Sequence, residues 1–169
     1  MSTPIPYDPE KAALLVIDMQ EFFRSDTVNE IVPNIKSIVS TCHKKGIPVL
    51  WTQHGHMNLE FDGGSLARWW KNKDEMIMRG SEKWKIMKEL NSLVMRSSTP
   101  ADTLDFIIQS KTRYDAFYKT ELTPFSPLSD ATATDTKEMH EASLLNIGFG
   151  WGIVTTVNNT VEWLSTMKL

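Results

Sequence analysis

Three polar side chains fall just beyond apolar, strand-like runs of this 169-residue chain. Asp18 follows residues 12–17 (AALLVI), His54 follows 47–52 (IPVLWT), and Lys111 follows 103–109 (TLDFIIQ). A carboxylate, an imidazole and an ammonium brought into one crevice tune one another's basicity and can move protons. The structural alternative stands beside it, since Asp after a strand often caps a turn and Lys is usually solvated. The chain holds one cysteine, Cys42. That excludes an internal disulfide and a thiolate zinc cluster. Cys42 lies in register with Ile35, Ile38 and Val39, on what reads as the apolar face of a helix, where a thiol behaves as a small inert hydrophobe.

The elements that would position these groups alternate along the chain. The run 12–17 suits a strand buried on both faces. Pro33 fits the first turn of a helix and Gly46 the position past its end, and 47–52 reads as a second strand, completing a βαβ unit. Ser81 is placed to cap a short helix with Trp84, Met87 and Leu90 on one side. Residues 103–109 form the third strand. Residues 136–147 predict a helix with Met139, Ser143, Leu144 and Ile147 inward and His140 at its boundary. Gly148, Gly150 and Gly152 then break the pattern before a fourth strand at 153–157. A last helix, capped by Asn158 or Asn159, would hold Val161 and Leu164 against the sheet. The expected fold is α/β, one domain over 1–169 built on a doubly wound parallel sheet. In such sheets ligands bind beyond the carboxyl ends of the strands, where Asp18, His54 and Lys111 lie.

The remaining composition narrows the class. Eighteen Lys and Arg against 21 Asp and Glu give a formal charge of −3, unlike the basic footprint of a general nucleic-acid binder. No apolar run approaches the ~20 residues that span a bilayer. Residues 1–9 lack the pattern of a secretory signal, so a cytoplasmic setting is expected and the Asn158-Asn159-Thr160 sequon should stay unmodified.

Several motifs in order carry a resemblance: ALLVIDMQEFF (13–23), WTQHGH (51–56), DGGSLARWW (62–70), KTRYDAFYKTEL (111–122), SDATAT (129–134) and MHEASLLN (139–146). Together they resemble the isochorismatase-like cysteine hydrolases, a family of nicotinamidases, ureidoacrylate and carbamoyl amidohydrolases and vinyl-ether-cleaving isochorismatases. The resemblance implies a Rossmann-like three-layer fold, oligomeric assembly, and hydrolysis of a C–N bond in a small amide. It makes Asp18 the general base and Lys111 its charge partner, activating a Cys thiolate. It implies that Gln20, Phe23, His54, Trp70 and Phe117 line the substrate, with a core role for Phe117 and a subunit-interface role for Trp69-Trp70 equally open. Nicotinamidases hold a metal with Asp and His near the point matched by His54-x-His56. The Asp is absent here, so no metal and no other cofactor is expected, and hydrogen-bonding or substrate-lining roles remain for the two histidines.

The family's nucleophile is missing. Its Cys follows a fourth strand, yet Leu122 is followed here by TPFSPL (123–128) and then directly by Ser129, and only 18 residues separate Lys111 from Asp130. A βαβ unit needs roughly 30, so an internal deletion near 122–129 is expected, removing the nucleophile strand and its helix. The expectation is a truncated hydrolase with negligible amidase turnover. Two alternatives accompany it: a non-catalytic interaction subunit pairing with a full-length paralogue, and Cys-independent vinyl-ether hydrolysis through Asp18. Homo- or hetero-oligomerisation is implied, with a small amide or isochorismate-like substrate if the chain is active.

Overall fold

The computed structural model describes residues 12–64, 76–95, 105–113, 116, 136–150 and 154–166. Within these, β1 (Leu14–Ile17), β2 (Val49–Thr52) and β3 (Asp105–Ile108) form a parallel sheet in the order β1-β2-β3. The register sets Leu14 beside Val49 and Val49 beside Asp105, so the three carboxyl ends finish level. That level rim places Asp18, the segment after Thr52 and the segment after Ile108 side by side.

Helix α1 (Asp26–Lys44) joins β1 to β2. Ser25 Oγ accepts from the Val28 N–H and fixes its start, so Pro33 lies inside the helix rather than in its first turn. The far end closes as expected. Gly46 takes φ +66°, its N–H donates to the His43 carbonyl and the Ile47 N–H donates to that of Cys42. This is the Schellman arrangement, for which a left-handed glycine is best suited. The buried face of α1 carries Val32, Ile35, Ile38, Val39 and Cys42, packed with Val16, Val49, Trp51, Met87 and Leu90 into one core.

Two further short elements follow β2. These are α2 (Leu59–Asp62), capped by Asn58, and α3 (Lys88–Asn91), which comes after a 3-10 turn at Glu82–Trp84. Ser81 Oγ does accept from the Trp84 N–H, but it caps that 3-10 turn rather than a continuous helix through Leu90. Arg24 bonds both Glu21 and Glu89, and the Lys88 N–H donates to Glu21, tying α3 to the segment after β1.

The carboxy-terminal third differs most from expectation. Helix α4 (Lys137–Gly150) runs through Gly148 instead of ending before it, and Met139 is solvent-facing at 54% exposure, not inward. Thr136 Oγ1 accepts from the Met139 N–H at its start, and His140 is half-buried as expected. Of the expected strand, residues 154–157 show only a single β-bridge position, at Thr155. Val157 already opens α5 (Val157–Thr166), with Thr156 Oγ1 accepting from the Asn159 N–H, so the cap is Thr156 and both asparagines lie within the helix. β-Branched residues favour strands only weakly where a hydroxyl is placed to start a helix. Helix α5 packs against α1 and buries Val157 and Leu164 in the core. Strand β1 is not buried on both faces either. Its pattern ends with Ile17 at 38% exposure, and among the described residues only β2 pairs with it.

Candidate functional site

Asp18 leaves β1 with φ +52°, the one non-glycine residue in left-handed backbone among those described. An aspartate tolerates that region better than most side chains. The turn directs its N–H toward β2, where it donates to the Thr52 carbonyl at 3.2 Å and to Thr52 Oγ1 at 3.1 Å. The Thr52 hydroxyl in turn donates to Asp18 Oδ1 at 2.7 Å. The other carboxylate oxygen accepts from Lys111 Nζ, and that lysine is 2% exposed. A buried ammonium is tolerated because it is paired. Asp18 and Lys111, 93 residues apart, therefore form one ion pair at the rim of the sheet.

Gln20 holds the next part of the rim. Its side chain is fully buried. Its carbonyl oxygen accepts from the His54 N–H at 2.7 Å, while its Nε2 donates to the His54 carbonyl at 3.0 Å and to that of Trp84 at 2.8 Å. Gln53 Nε2 also donates to the Trp84 carbonyl, at 2.9 Å, and Gln53 Oε1 accepts from Gln109 Nε2. The amide of Gln20 is thus spent on protein backbone, and it fixes His54 and Trp84 relative to β1. Phe23 lies half-buried in a short 3-10 turn, edge-on to Phe22. Trp69, Trp70 and Phe117 lie outside the described residues.

His54 and His56 stack edge to face with centroids 5.1 Å apart. Burial, then the Lys111 charge and then His56 lower the His54 pKa to about 4, so this ring is neutral at pH 7. His56 is 1% exposed and its Nδ1 lies 3.1 Å from Asp62 Oδ1. Burial alone would raise the Asp62 carboxyl, but the Met57 N–H and the His56 ring outweigh it and hold the group below its ordinary range. Among the described residues no three His, Cys, Asp or Glu side chains converge as a metal site. The Asp62 carboxylate is engaged by Met57 and His56, and Lys111 places positive charge beside His54.

Cys42 is 3% exposed in the core, and burial, aided by Asp105, pushes its pKa up to about 12. It belongs to the opposite pole of the sheet. There the buried Asp105 carboxylate, at the first residue of β3, accepts from Trp51 Nε1 and the Met95 N–H and meets His43 Nε2 at 2.7 Å. Sequence reading passed over Thr52, Gln53, Trp84 and Asp62. Only the TQHGH stretch hinted at the first two, and nothing local marks Trp84, which reaches the rim from 30 residues further along.

A parallel sheet flanked by helices, with a buried acid–lysine pair where the strands end, defines an α/β protein with its charged groups gathered at one rim of the sheet. Residues 12–124 match the isochorismatase domain family, and the chain belongs to that family of hydrolases. Nicotinamidase 3 of Arabidopsis thaliana is 29% identical over 168 residues, covering 83% of this chain and 82% of that protein. The isochorismatase of Bacillus subtilis (strain 168) is 33% identical over 122 residues, 68% of this chain but 35% of its own length. The ureidoacrylate amidohydrolase RutB of Caulobacter segnis is 24% identical over 145 residues, 70% of this chain and 56% of that protein. The chain thus spans about half or less of the last two relatives. A cysteine hydrolase structure from Pseudomonas syringae pv. phaseolicola superposes with a TM-score of 0.81 at 19% identity, over 98% of this chain and 99% of that one, which establishes the shared fold. No described helix is long and apolar enough to cross a membrane.

Proposed function

We propose that this chain is a hydrolase-family member that retains the acid–base pair for cleaving a C–N bond in a small amide but lacks the nucleophile to complete the reaction. One observation carries the reading: the chain's single thiol, Cys42, is buried in the core and held protonated, away from the Asp18–Lys111 pair. A thiol attacks a carbonyl only as the thiolate, so Cys42 cannot serve. Asp18 and Lys111 remain as general base and charge partner with no sulfur between them.

A comparison of lengths supports the same reading. The alignment with Nicotinamidase 3 runs over 168 positions although 83% of 169 residues, about 140, takes part here, so about 28 positions of that protein face no residue of this chain. The family match ends at residue 124, inside the proline-bearing connection 123–128 where the nucleophile segment would begin. The test is incubation of the purified chain with nicotinamide and with ureido-type amides, reading ammonia release. Background rates are expected for all of them, and turnover abolished by Asp18→Asn refutes the proposal. Isochorismate assayed alongside tests Asp18 as a general acid toward a vinyl ether, and none is expected to be consumed.

An interaction role is favoured by one further observation. Met57 at 73% and Phe61 at 88% exposure border the rim on the α2 side, an apolar surface that a full-length paralogue could cover. Co-purification of such a paralogue, lost on Trp69→Ala and Trp70→Ala, would support it.

A further inference from the structure

Asp18 and Lys111 do not follow neighbouring strands. The order β1-β2-β3 sets β2 between them, and two strand spacings, about 10 Å, separate the strands that carry the pair. The segment after β3 closes part of that distance, because the Gly55 N–H donates to the Lys111 carbonyl at 3.1 Å and draws it toward the exit of β2. A long lysine side chain covers more of it. The short side chain of Asp18 must still be turned over the end of β2, and what β2 presents there decides whether the charges meet.

Strand β2 ends in Thr52, which is 1% exposed and in register with Ile17 on one side and Ile108 on the other. Its carbonyl and its hydroxyl both engage Asp18. The Asp18 N–H points at the hydroxyl oxygen, so the single hydroxyl proton is left for Asp18 Oδ1. The two residues thus close a ring of two opposed bonds. That ring is made in the left-handed turn at Asp18, φ +52°, a conformation that persists only where its neighbours fix it. The β-branched Thr52 side chain is itself stiff about its first torsion, which keeps the hydroxyl in place. Among the described residues, Thr52 and Lys111 are the side chains that bond the Asp18 carboxylate, one on each oxygen.

We infer that Thr52 is the positioning residue of the acid–base pair: its hydroxyl holds the Asp18 carboxylate across the end of β2, with the second oxygen on the Lys111 ammonium. One donor on each oxygen arrests the rotation of the carboxylate and leaves its remaining lone pairs in fixed directions for a proton. The inference rests on the acid–base reading of Asp18 and Lys111 above, and it holds with or without a nucleophile between them.

The experiment follows the Lys111 ammonium in the full chain. Nitrogen-15 spectra of the lysine Nζ groups, assigned through the side-chain carbons, report how fast the ammonium protons exchange with water. Slow exchange is expected for this buried, paired group in the wild type. Thr52→Val keeps the branched shape and removes the hydroxyl. Exchange at Lys111 should then be about ten-fold faster, the worth of one hydrogen bond. Thr52→Ser returns the hydroxyl and should bring the rate to within about two-fold of wild type. Amide spectra and melting temperatures establish that each variant folds, and Thr52→Ala takes the place of the valine form if that one does not. A merely structural threonine would lower the melting temperature of Thr52→Val and leave the Lys111 signal unchanged, which overturns the inference. Exchange as fast in Thr52→Ser as in Thr52→Val overturns it too, as does a wild-type Lys111 without a protected signal. Ammonia release from nicotinamide in the same samples separates the two readings. Turnover would refute the missing nucleophile and leave the role of Thr52 intact, read then as a lower kcat at unchanged KM in Thr52→Val. Unchanged Lys111 exchange in that variant would refute only the positioning.

Discussion

Removing one member of the Asp18–Lys111 pair should cost the chain a large share of its stability, and removing both should return much of it. Lys111 is 2% exposed and the Asp18 side chain 16%, so Asp18→Asn leaves an ammonium out of water with no counter-charge. Breaking a buried pair from one side costs about 3–5 kcal/mol. The partial exposure of Asp18 and the Thr52 hydroxyl bond, which asparagine can still accept, place the expected loss at the lower end, about 3 kcal/mol. At a urea sensitivity of about 2 kcal/mol per molar, the unfolding midpoint should fall by about 1.5 M. Asp18→Asn combined with Lys111→Met removes the stranded charge and fills its channel with apolar atoms. The double variant should recover about 2 kcal/mol relative to the sum of the singles. Urea titrations followed by tryptophan fluorescence, completed as a double-mutant cycle, measure this directly. A coupling below about 0.5 kcal/mol would mean that the two charges are not in buried contact, and the acid–base reading of the rim would fall with it.

Four further outcomes follow from the same geometry. Gln20→Met keeps the volume but deletes three bonds at a fully buried amide, and should cost about 2–3 kcal/mol with faster hydrogen exchange at His54. Gly55→Ala drives a methyl into the Trp84 ring. It should destabilise by about 1–3 kcal/mol and shift the indole emission, whereas an unchanged spectrum would contradict the packing around Gly55. His54 has a folded pKa of about 4 against an ordinary 6.5, so the unfolded chain takes up the proton first. Its contribution to stability is present above pH 6.5 and lost as pH falls toward 4, checked by titrating its ring protons by NMR and repeating the melts in His54→Phe. Cys42 works in the opposite sense, with a folded pKa near 12 against 9.0. Stability should be unaffected below pH 9 and decline as pH rises from 9 toward 12, and the native thiol should resist aromatic disulfide reagents until urea unfolds the chain.

Local pattern was enough to reveal the parts of this protein whose physics is local. Apolar runs of strand length announced β1, β2 and β3, and the four-residue rhythm from Ile35 to Cys42 announced the face of α1. Gly46 marked its end because little but glycine takes that left-handed turn cheaply. The family motifs also picked out Asp18 and Lys111, and counting residues between Lys111 and Asp130 raised the question of the absent sulfur without coordinates. Where side-chain chemistry and backbone propensity compete over a few residues, the sequence was ambiguous. The Val154–Val157 stretch reads as strand by its β-branched side chains, yet the Thr156 hydroxyl starts a helix there, and Ser25 caps α1 eight residues before Pro33.

What the amino-acid order determined alone is therefore the class of fold, the family and the identity of the charged pair. Folding decided everything that depends on direction. It turned Asp18 through a left-handed backbone onto Thr52 and Lys111, bound the Gln20 amide to the backbone of His54 and Trp84, and carried Trp84 back over Gly55. Contacts between segments 29 or more residues apart depend on how the chain closes on itself, and no spacing rule within a strand or helix encodes them. Among the described residues, the buried nitrogens His54 Nδ1, His56 Nε2 and Trp84 Nε1, which lack hydrogen-bond partners, come together around Gly55 only in that closed form.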